Sequence, residues 1–79
     1  MQRSAVSISS NIAEGAGRNS EPEFNVFLGY ARGSSFELET QLFIAKNIGY
    51  LDKSAFEHLL NSITEIQKML HGLKKSLKP

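Results

Sequence analysis

The chain has 79 residues, 41% of them hydrophobic and 22% charged, which describes a globular protein of at most one domain, spanning 1–79. That length is close to the lower limit for a self-sufficient core, and with no cysteine neither a disulfide nor a thiolate metal site can reinforce it. The net charge of +1 is too near balance to mark a nucleic-acid binder by itself.

The positive charge is unevenly placed. Residues 68–79 hold Lys68, Lys74, Lys75 and Lys78 with no acid, which leaves the first 67 residues at about −3 once those four lysines are taken from the +1 total. The N-terminus lacks a basic start followed by an apolar run, and the unbroken apolar stretches are only a few residues long. Neither a signal peptide nor a transmembrane helix fits this pattern, so a cytoplasmic location without membrane contact is expected.

The first helix is expected over about 4–16. Ala5, Ile8 and Ile12 lie three and four apart, with Val6 and Ala13 widening the apolar face. Ser7, Ser9, Ser10 and Asn11 are weak helix formers, so tertiary contacts must support this segment. Gly15 and Gly17 offer left-handed C-terminal stops.

A second helix over 21–48 opens at Ser20, with Glu23 three residues on as a capping box and Pro22 in the first turn. Its apolar stripe runs Phe24, Phe27, Ala31, Ser34, Leu38, Gln41, Ala45, with Leu28, Ser35 and Leu42 alongside. Gly33, Ser34 and Ser35 thin the stripe where another helix is expected to come close. Phe36, Phe43, Ile44 and Ile48 lie on a second side, and Gly49 is the expected C′ residue.

Asp52 caps a third helix over 53–77. Phe56, Leu59, Ile63, Ile66, Leu70, Leu73 and Leu77 repeat 3-4-3-4-3-4, an unbroken heptad. Both long helices span about 40 Å and the first only about 20 Å. One short helix cannot cover both apolar grooves of so long a hairpin. Either a further element or a neighbouring chain must do so.

The segment from Arg3 to Gly15 (Arg-Ser-Ala-Val-Ser-Ile-Ser-Ser-Asn-Ile-Ala-Glu-Gly) resembles the signature of the 23S rRNA intervening-sequence protein family, the four-helix bundle proteins. The likeness continues through Glu23-Phe24, Phe27-Leu28, Ala31, Gly33-Ser34, Glu37-Leu38-Glu39-Thr40-Gln41-Leu42, Ala45 and Gly49-Tyr50-Leu51. Ser9 stands where the family usually has proline. The resemblance implies an antiparallel four-helix bundle, here with three helices because the family's first helix has no counterpart in these residues. It further implies a bacterial, ring-like homo-oligomer, typically a pentamer. A more distant likeness to the accessory proteins of diversity-generating retroelements implies association with nucleic acid and with an enzyme that acts on it.

Catalytic constellations do not assemble. Glu37 and Glu39 are two residues apart and diverge by about 200° on a helix, so they cannot share a substrate. No acid has histidine three positions later, as a di-iron bundle requires. His58 and His71 lie off the heptad seam without metal-forming partners. Gly15-Ala16-Gly17 lacks the third glycine and the preceding strand of a dinucleotide loop. A non-enzymatic protein without cofactor or metal is therefore expected.

Asn11 and Glu14 are expected to hydrogen-bond the helix end and the following turn, with Gly15 as the left-handed exit, or else to meet a neighbouring subunit. Phe36, Phe43, Ile44, Ile48 and Met69 are the candidate oligomer interface. Arg3, Arg18, Arg32, Lys68, Lys74, Lys75 and Lys78 are the candidate contacts to RNA or DNA; dipole complementation at the helix end is the simpler role for the lysines. The reading is a homo-oligomeric scaffold or adaptor associated with nucleic acid or a nucleic-acid enzyme. Its alternative is a structural protein–protein module with no nucleic-acid affinity.

Overall fold

The computed structural model describes residues 1–77. Three helices occur in chain order: α1 (Gln2–Ala16), α2 (Glu21–Asn47) and α3 (Lys53–Ser76). Their ends differ slightly from expectation. α1 begins two residues early because the Ala5 N–H already bonds to the Met1 carbonyl at 3.0 Å, and α2 and α3 each stop one residue sooner.

The caps follow from the sequence. Ser20 Oγ accepts the Glu23 N–H at 3.3 Å and turns its own proton onto the Glu23 carboxylate at 3.1 Å. Asp52 Oδ1 accepts the Ala55 N–H at 2.7 Å. α2 ends in a Schellman motif: Tyr50 N–H donates to Ala45 O at 2.9 Å and Gly49 N–H to Lys46 O at 3.1 Å. Gly49 has φ +89, the left-handed value that suits glycine.

The exit from α1 corrects the expectation for Gly15 and Gly17. Gly17 keeps right-handed angles, φ −84 and ψ −2. Gly15 lies inside α1 and is buried; a Cβ there would stand 2.8 Å from both Phe24 Cδ1 and Phe27 Cβ. Its role is close approach between helices, not a left-handed turn. Gly33 is the converse, an exposed glycine with nothing within 4 Å of an added Cβ. The helix contact expected around it falls on Ser34 and Ser35 alone.

α1 and α3 both run antiparallel to α2. Ser7 meets Ser34 and Ser4 meets Glu37 on one side, while Asn25 meets Lys74 and Glu39 meets Gln67 on the other. No Cα of α1 comes within 8 Å of one in α3. The core consequently forms two patches. Ile8, Leu28, Ala31 and Leu70 fill one patch, to which all three helices contribute, and Leu42, Phe56 and Ile63 of α2 and α3 fill the other, nearer the hairpin turn. Along α3, Phe56, Ile63 and Leu70 are buried, whereas Leu59 and Leu73 remain exposed. Two of the seven residues of the expected heptad seam are thus open to solvent.

Gly15→Ala should destabilise the fold by about 1–3 kcal/mol through overpacking against Phe24 and Phe27. Gly33→Ala should be neutral or stabilise by up to about 1 kcal/mol through helix propensity. Urea denaturation followed by circular dichroism reads both.

Candidate functional site

Three surfaces bring together polar or apolar groups beyond what a closed core needs. The first is a polar seam between α1 and α2. Ser4, only 1% exposed, has its hydroxyl 2.7 Å from Glu37 Oε1 and 3.0 Å from Gln41 Oε1. One hydroxyl proton serves one acceptor, and the charged carboxylate takes it. A half-turn of the Gln41 carboxamide lets that side chain donate in return. Ser7 and Ser34 share a hydrogen bond of 2.8 Å, and Asn11 Nδ2 donates to Ser7 O and Oγ at 2.8 and 3.1 Å.

The signature residues therefore divide into separate roles. Asn11 bonds back into α1 and does not reach the helix end. Glu14 does span the end, pairing with Arg18 at 2.8 Å in an exposed ion pair. Glu37 serves α1, while Glu39 accepts from Gln67 Nε2 at 2.9 Å and serves α3. Their expected divergence puts the two carboxylates on different helix pairs. Ser4, Ser7, Ser34 and Gln41 escaped sequence reading as one unit because short polar side chains read individually as weak helix formers.

The second surface is an apolar groove of about 330 Å³ between α1 and α3. Leu38 and Leu42 form its floor on α2, Met1 and Ala5 one wall, and Leu59, Ile63 and Ile66 the other. It lies where α1 and α3 fail to meet. None of the interface residues named from sequence lines it. Phe36, Phe43, Ile44, Ile48 and Met69 are all exposed, from 42% at Phe43 to 69% at Met69. Phe43 rests edge-on against Phe56 with ring centroids 5.0 Å apart, and Arg32 lies 5.7 Å from the Phe36 ring centroid. Ile44 and Ile48 have no such partner and sit about 80–120° around α2 from Phe36. These residues thus make two patches, one beside α3 and one on the back of α2.

The third surface is basic. Asn25 and Arg32 of α2 with His71, Lys74 and Lys75 of α3 line a depression of about 450 Å³. This brings Arg32, Lys74 and Lys75 together as the sequence grouping anticipated. Lys68 is exposed on α3 but does not line the depression. Arg18 is occupied at the α1–α2 turn by Glu14 and by the Phe27 ring, 4.7 Å away. Arg3, near the start of α1, stands about 20 Å from that turn along the helix. Lys78 lies outside the described residues.

The fold defines an all-α bundle protein built on an antiparallel hairpin of long helices, with no helix among the described residues long and apolar enough to cross a membrane. The chain belongs to the 23S rRNA-intervening sequence protein family, whose model matches residues 1–72. That span takes in all of α1 and α2 and most of α3. No curated protein matches the chain in sequence.

Ser4→Ala should lower stability by about 0.5–1.5 kcal/mol through loss of the seam hydrogen bonds. The exposed neighbour Ser9→Ala should change it by no more than about 0.5 kcal/mol. Equal small effects in chemical denaturation would show that the seam contributes nothing.

Proposed function

We propose that the protein is a non-enzymatic homo-oligomeric scaffold or adaptor whose assembled surface engages nucleic acid or an enzyme that acts on it. The observation that carries this reading is the open apolar groove between α1 and α3, whose rim residues Met1 and Leu59 are exposed in the single chain. Burying apolar surface gains roughly 25 cal/mol per Å², so a surface of this kind favours a complementary partner. Exposed Ile44, Ile48 and Tyr50 give each chain a separate apolar ridge. A concave and a convex patch on one chain support head-to-tail contact, which closes into rings when the rotation allows. A ring, pentameric by family resemblance, repeats the basic depression around its circumference. Repetition turns a weak single-chain field into a substantial one, and that supports a polyanionic partner.

Light scattering across a range of concentrations should give a mass several times 8.8 kDa. Ile48→Asp should shift it toward the single-chain value while helicity persists, because Ile48 is 67% exposed and outside both core patches. A single-chain mass at every concentration rejects the scaffold. An assembled protein whose mass is unchanged by added RNA or DNA at low salt supports the protein–protein module and rejects the nucleic-acid part.

A further inference from the structure

The α2–α3 depression differs from a scatter of surface lysines in how its groups are held. Asn25 Nδ2 donates to two carbonyls at the end of α3, Lys74 O at 3.3 Å and Leu77 O at 3.0 Å. Both Asn25 oxygens in turn accept from Lys74 Nζ, the backbone one at 3.0 Å. Gly29 lies beneath that ammonium, which stands 3.4 Å from where its Cβ would be, an ordinary contact distance. Lys74 is thereby fixed across the depression with one N–H still to give. Arg32 leans toward the Phe36 ring on the opposite side.

The charges there are uncompensated. Among the described residues the ion pair is Arg18 with Glu14, so Arg32, Lys74 and Lys75 have no carboxylate partner. Among the described residues no acid lines the depression; Glu21 and Glu23 belong to the start of α2 and are outside it. The negative end of the α3 dipole is close by, but it amounts to about half a charge and two of its carbonyls are already taken by Asn25. Three cations exceed it several-fold, and His71 adds a further donor. Like charges confined together repel one another, and a multivalent anion relieves that repulsion. The fork of Arg32 suits two oxygens of one group, whereas Lys74 and Lys75 supply point charges.

We propose that Arg32, His71, Lys74 and Lys75 form a binding site for phosphate groups of a polyanion. The proposal rests on the nucleic-acid reading only for the source of those phosphates, since a short polyphosphate presents the same chemistry. The depression is open to solvent, so consecutive phosphates of one chain can approach it.

Tripolyphosphate and a short single-stranded RNA, titrated separately by calorimetry at low salt, test the site. The double variant Arg32→Gln/Lys75→Gln spares Lys74 and its bonds to Asn25. A control variant, Lys46→Gln/Lys53→Gln, at the hairpin end and away from the depression, removes the same two charges and controls for net charge. Both ligands should bind the wild type, and the double variant should lose about tenfold or more in affinity for each. The logarithmic salt dependence of binding to this single-stranded RNA should fall by about 1.4, at roughly 0.7 for each of the two lost phosphate contacts. The control should stay within about twofold, and all three proteins should share one circular dichroism spectrum. Failure of the wild type to bind tripolyphosphate, or equal binding by the double variant, overturns the site. RNA binding that survives the double variant unchanged while tripolyphosphate binding is lost makes the site one for small polyphosphates. A wild type that binds tripolyphosphate and not RNA keeps the site and rejects the nucleic-acid reading.

Discussion

Everything in this fold hangs on α2. α1 packs on one flank of it and α3 on the other, and no Cα of α1 comes within 8 Å of one in α3. The molecule measures 44 × 20 × 13 Å, and its shortest dimension barely exceeds the 10–12 Å diameter of a single helix. The radius of gyration of 13.8 Å is larger than the roughly 12 Å expected of a compact domain of this length. An arrangement in which α1 and α3 do not meet leaves the space between them unfilled. The apolar groove and its exposed rim at Met1 and Leu59 follow from that one constraint.

The two flanks of α2 are held by different chemistry. Toward α1 a polar seam flanks the Ile8, Leu28 and Ala31 core: Ser4, Ser7 and Ser34 allow close approach, and Gly15 lets the helix end press against Phe24 and Phe27. Hydrogen bonds of this kind add modest net stability, yet they are directional and fix the register of a short helix whose own propensity is low. Toward α3 the contact is apolar around Leu42, Phe56 and Ile63, with polar ties from Glu39 to Gln67 along its length and from Asn25 to the α3 terminus. The tie at Asn25 also positions Lys74, so the stability of the helix end and the shape of the basic depression share one residue.

The all-α class, the three helices, the Asp52 cap and the Gly49 turn were legible in the sequence because periodicity and capping are local. Gly15 was misread because a glycine near a helix end looks the same whether it supplies a left-handed turn or leaves room for another helix. Only the position of Phe24 and Phe27 distinguishes the two. That a short α1 leaves part of the hairpin uncovered was legible from the helix lengths, but the place of the groove was not. Leu59, Ile63 and Ile66 looked like an ordinary heptad seam, and nothing in their spacing shows that the facing helix stands too far away to fill it. The basic grouping was half legible. The lysines cluster along the chain, but Arg32 joins Lys74 and Lys75 across more than forty positions of sequence through the α2–α3 pairing, while Arg3 and Arg18 drop out.

The central claim is that one chain leaves its apolar groove open and that association closes it. Thermal unfolding followed over about a hundredfold range of protein concentration tests it most directly. If subunits close the groove, folding is linked to association and the midpoint must rise with concentration by mass action, by several degrees over that range. A sharp, reversible transition whose midpoint does not move would mean that the single chain is self-sufficient, and the account of the groove as an assembly surface would be contradicted.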